Sequence, residues 1–194
     1  MMDTGIEWSI RSLDSLNSEE AVTPSHRLQL AFRYKIEKCV IQAVDEIFNR
    51  QEGRKQLRLV TSKDIEQMGM RTYVLFVKGI EAVQASRLSV ALNVPTSYHS
   101  PQCLLSTQRE QECAHALREF WCAAVPQLLL AADQPTPLEE LAGFLRRTEI
   151  KNVDKSCKLL TLFHLEKAGV LTIEPNVRKH VSTSIWNLYQ EGYM

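Results

Sequence analysis

The stretch KLLTLFHLEKAGVLTIEP, residues 158–175, passes from a leucine-rich helical pattern through Gly169 into a β-leaning run that ends at Pro175. Glycine adopts the left-handed conformation that closes a helix without steric cost. The spacing predicts a helix over 153–168 that stops at Gly169. Residues 170–174 then read as a short strand, terminated by a proline that cannot donate to a ladder.

Working upstream, Thr136 and Glu139 have the spacing of a capping box, with Pro137 at the first helical position. Leu138, Leu141 and Phe144 follow at core spacing, and Gly143 among them suggests a close helix crossing. Thr107 and Glu110 repeat the capping box ahead of Cys113, Leu117, Phe120 and Ala124. Pro126 is expected to kink or end that helix. Helix, short turn, helix, glycine and strand is the order of a helix-turn-helix with a β wing. At this level of pattern, 107–175 resembles the winged-helix superfamily. The resemblance implies a compact three-helix unit closed by an edge ribbon.

The N-terminal half has its own signals. Thr23 and Pro24 open a helix as N-cap and first helical residue. Leu28, Phe32, Ile36, Val40, Ala43 and Ile47 then make one apolar stripe. QLRLVT, 56–61, alternates like a strand, Ser62 is placed to cap a brief helix, and RTYVLFVKG from Arg71 is β-branched and aromatic enough for another strand, with strand or helix left open over 70–78. The rear half of that segment, to Val94, looks helical. A strand, a short helix and a glycine turn echo the C-terminal half, which leaves tandem winged helices as an alternative. The fold expected is mainly α with short β-strands, an α+β class. It divides into an acidic segment at 1–22, a helical module at 23–94, a linker at 95–106 and a winged-helix-like module at 107–194.

Composition bounds the function. The chain has 194 residues, with lysine plus arginine and aspartate plus glutamate both at 23, so no global field draws it to nucleic acid or an anionic membrane. The longest apolar run, 121–132, is too short for the ~20 residues of a membrane span. Five cysteines without a CxxC pair read as reduced, buried thiols and place the protein in the nucleus or cytoplasm. Its seven glycines never approach closer than ten residues, so neither phosphate-binding loop can be written. No catalytic motif or cofactor site is expected.

Zinc needs four converging donors, and Cys103, Cys113, His115 and Cys122 are the sequence-local set. On one helix, His115 and Cys122 lie about 200° and 180° from Cys113, so these side chains diverge, and no metal site is expected.

Two surfaces remain. Between 146 and 180, eight basic side chains face four acidic ones. Arg146, Arg147, Lys151, Lys155, Lys158, Arg178 and Lys179 are the candidates for nucleic-acid contact, with Lys155 and Lys158 near the start of a recognition helix. Base readers are few there, which favours protein docking over DNA. The docking candidates are Trp8 and Leu13 in the acidic segment and Trp186 and Tyr189 on the terminal helix, because aromatic anchors dominate interfaces. The expected role is a non-catalytic subunit of an intracellular, nuclear multiprotein complex with protein subunits as partners; a DNA- or RNA-contacting winged-helix subunit and an enzyme without a recognisable motif are the alternatives.

Overall fold

The computed structural model describes residues 23–52, 61–132 and 135–192. Among them are eight α-helices and two 3-10 turns, and no strand. The helices are α1 (Pro24–Tyr34), α2 (Glu37–Glu52), α3 (Ser62–Met68), α4 (Met70–Leu92), α5 (Thr107–Leu129), α6 (Leu138–Arg147), α7 (Lys155–Lys167) and α8 (Ile173–Gln190). The fold is all-α, which overturns the expected α+β class and with it the winged-helix architecture.

The wing is the decisive correction. Gly169 does close α7 at φ 73°, but residues 170–172 form a 3-10 turn and α8 begins at Ile173. Pro175 lies in the first turn of α8, where a missing N–H costs nothing. A buried carboxylate accounts for the helical choice. Glu174, 1% exposed, accepts from Arg87 Nε and Nη2 of α4, each at 2.7 Å. It also accepts the backbone N–H of Leu138 at 3.0 Å. That N–H opens α6, so Glu174 is the cap that the expected Thr136–Glu139 box does not supply; Pro137 precedes α6 with no side-chain cap.

The run from Arg71 is a second correction. Its buried positions, Thr72, Phe76, Gly79, Ile80, Val83, Arg87, Val90 and Ala91, recur every three or four residues along the whole of α4. Burial on that period outweighs the few tenths of a kcal/mol by which β-branched residues disfavour helix. The expected strand at 56–61 lies outside the described residues apart from Thr61, which caps α3 in a box with Asp64. Ser106, one residue earlier than expected, caps α5. Helix α5 continues through Pro126 to Leu129. The single stripe of 28–47 is split by Lys35 at φ 56°, where the Ile36 N–H reaches back to Ala31 O and closes α1.

Two apolar cores result. One gathers Leu28, Val40, Val44, Phe48, Phe76 and Ile80 with Val181 and Ile185 of α8. The other gathers Val90, Trp121, Val125, Leu138, Leu141 and Leu162. Helix α4 thus contributes to both cores, and α8 joins the helices of the N-terminal half in the first. Trp121 Nε1 donates to Val90 O at 3.1 Å, satisfying a carbonyl in the last turn of α4.

The close helix approach is at Gly79, not Gly143. A Cβ on Gly79 would meet Val181 Cγ2 at 2.7 Å and Phe48 Cζ at 2.9 Å. A Cβ on Gly143 would meet only the mobile end of Arg147, at 3.3 Å. Gly79→Ala should therefore lower unfolding free energy by about 1–3 kcal/mol in urea titration, whereas Gly143→Ala should be neutral or stabilising by up to ~1 kcal/mol. Glu174→Ala should cost about 3–5 kcal/mol because the buried Arg87 loses the forked pairing with Glu174; Arg87→Met with Glu174→Leu should recover much of that loss.

Candidate metal centre

Four side chains distant in sequence meet at one point. His99 comes from the extended segment after α4 and Cys103 from the 3-10 turn Cys103–Leu105. Cys113 projects from the second turn of α5 and Cys157 from the first turn of α7. Their donor atoms all lie within 4.8 Å of one another. The three cysteines are 0, 3 and 1% exposed, and His99 is half-buried.

Local structure explains the convergence. Ser100, buried in the segment expected as a linker, ties both sides together. Its N–H donates to Cys157 Sγ at 3.2 Å, and its hydroxyl accepts the Cys103 N–H at 3.3 Å. Next to it, the Tyr98 N–H donates to Thr161 Oγ1 of α7 at 3.1 Å. Asn152 takes a left-handed turn at φ 63°, a conformation asparagine tolerates. Asp154 then starts α7 by accepting the N–H groups of Ser156 and Cys157. An open depression of about 280 Å³ beside the cluster is lined by Arg109, Glu112 and Asp154 as well as Cys103 and Cys113.

Burial pushes the Cys103 thiol up to about 12, helped by its hydrogen bond with Cys157 and the negative charge of the neighbouring thiols. Burial also raises Cys113, against the opposing pull of the Asp154 N–H. His99 Nδ1 lies 3.5 Å from Cys103 Sγ, yet the thiol is shifted away from the low values that make a cysteine nucleophilic. A cysteine–histidine hydrolase is therefore poorly served here. A bound divalent cation reverses the electrostatics, because ligating thiols lose their protons outright. Three sulfurs and one imidazole suit zinc, and four protein donors leave no open position for substrate.

The sequence-local donor set contained two of these residues. The divergence argued for the other two holds: Cys122 is exposed, and His115 pairs with Glu119 on the outer face of α5. The signal overlooked was His99-x3-Cys103 flanking a turn, whose remaining donors are ten and 54 residues beyond Cys103.

The basic candidates differ in their surroundings. Lys158 is buried, and its Nζ donates to Arg146 O at 3.2 Å and Thr148 O at 2.6 Å, capping the C-terminal end of α6. Arg146 pairs with Glu166 and Arg178 with Glu139. Arg147, Lys151, Lys155 and Lys179 are exposed. Of the docking candidates, Trp8 and Leu13 lie outside the described residues. Trp186 packs against the first core, and Tyr189 stacks on Phe32 with ring centroids 5.1 Å apart.

In the folded protein a maleimide should modify Cys122 at once, while Cys39, Cys103, Cys113 and Cys157 react only on unfolding. Peptide mapping by mass spectrometry reads the order. No family model, curated protein or solved structure matches the chain.

Proposed function

We propose that the chain is a non-catalytic subunit of an intracellular multiprotein complex and docks partner proteins through the outer face of α7. The observation that carries this reading is the orientation of that helix. Cys157, Lys158, Thr161 and Leu162 face inward, and Leu159 and Phe163 are left exposed. They lie one turn apart on a single face. Tyr98 extends the surface: its ring stacks on His164 at a centroid distance of 3.5 Å, and Phe163 meets His164 edge-on at 5.7 Å. Aromatic side chains supported by rigid helix are the usual anchors of an interface, and an apolar neighbour such as Leu159 helps exclude water around them.

The same orientation weakens the nucleic-acid reading. A recognition helix needs cations and hydrogen-bonding groups outward. Here Lys158, expected in that role, is turned inward as a helix cap.

Leu159→Ser with Phe163→Ser should leave helicity and thermal stability unchanged while removing a defined set of proteins co-purified with the wild-type chain. Lys151→Glu with Lys155→Glu should leave that set intact. Retention of every interactor by the first variant overturns the reading. So does salt-sensitive DNA binding by the wild type that the second variant loses.

A further inference from the structure

We propose that His99, Cys103, Cys113 and Cys157 hold one tetrahedral Zn2+, a structural centre that fastens the segment 98–105 to α5 and α7. The inference goes beyond the docking reading and does not depend on it. Its first support is geometry. Zinc–sulfur bonds of about 2.3 Å place the sulfurs of a tetrahedron about 3.8 Å apart. The donors here all fall within 4.8 Å of one another, and His99 Nδ1 is 3.5 Å from Cys103 Sγ. A change of a few tenths of an ångström in each side chain closes the tetrahedron.

The second support is the surroundings. The backbone N–H of Ser100 points at Cys157 Sγ at 3.2 Å. Such N–H···S contacts stabilise thiolates and orient them for a metal. Three buried thiols packed only for bulk would gain little from donors aimed at sulfur, since a neutral thiol is a weak acceptor. The third support is placement. The cluster joins a turn without strong helical support of its own to two helices, where one ion makes four bonds that apolar packing does not supply. Ser100 hydrogen-bonds both Cys103 and Cys157, and the Cys103 thiol also donates weakly to Arg109 O at 3.8 Å.

The set excludes other roles for the ion. Thiolates with one imidazole select zinc over magnesium or calcium, which require oxygen. Four protein ligands close the coordination sphere, so the ion supports structure and activates no water.

The test uses the full chain, purified without chelator and analysed by plasma mass spectrometry. One zinc per chain is expected, and Cys39→Ser and Cys122→Ser should retain it. Cys113→Ser, Cys157→Ser and His99→Ala should each fall below about a tenth of an equivalent. Where a variant fails to fold, His99→Cys supplies the control, since it restores four donors and should bind metal. Cobalt(II) added to the zinc-free wild type should give the visible bands of a tetrahedral thiolate site, which Cys113→Ser should lose. Chelation should also speed amide exchange at Ser100 and Cys103 by at least about tenfold. Absence of zinc before and after reconstitution overturns the proposal. Iron or copper in its place, octahedral cobalt spectra, or zinc retained by the Cys113→Ser and Cys157→Ser double variant would do the same.

Discussion

The carboxylate of Glu174 is the constraint on which the arrangement of helices rests. A charge with 1% exposure survives only when nearly all its oxygens are satisfied. Here a bidentate guanidinium and the first N–H of α6 meet that requirement. The three partners come from α4, α6 and α8, so one side chain sets the positions of three helices at once. Apolar packing alone tolerates sliding by a residue or a few degrees; a forked ion pair with a helix cap does not. The turn after Gly169 is consistent with this demand: with the helix beginning at Ile173, Glu174 meets Arg87.

A second fixed point lies at the thiol cluster, on the other flank of α7. Between the two, Lys158 caps α6 from within α7. Helix α7 is thus held on its inner face by sulfur, amine and leucine, and its outer face carries Leu159 and Phe163. One leucine and one phenylalanine that interior packing does not use are the reason the helix reads as a surface for another protein.

Local signals were the legible part of this sequence. Thr23 with Pro24 at the start of α1 and Gly169 at the end of α7 depend on residues within one turn of each other, and both ends are where the pattern puts them. Caps that depend on distant residues were not legible. Thr136 and Glu139 have the right spacing for a box, yet the cap of α6 arrives from Glu174, 36 positions from Leu138. The β-branched run after Arg71 was misread because propensity is local and burial period only shows over the full length of α4. The metal ligands were hidden similarly. Cys103 and Cys113 were visible as donors, but the choice of companions looked along one helix, whereas the fold recruits His99 from a presumed linker and Cys157 from another helix. Lys158 shows the same limit for charge: sequence counts a cation but not the face it occupies.

The spacing of the cluster also has a consequence for biosynthesis. Cys157 is translated 44 residues after Cys113, a delay of roughly 2–9 s at ordinary elongation rates. Drawing those ends together costs on the order of 3 kcal/mol of loop entropy. Until then the earlier thiols leave the ribosome without their final neighbour, in a nascent chain whose N-terminal helices also lack Val181 and Ile185 to complete their core. Both halves therefore wait for residues 157–185, and neither the first core nor the thiol cluster is complete until that stretch has been made.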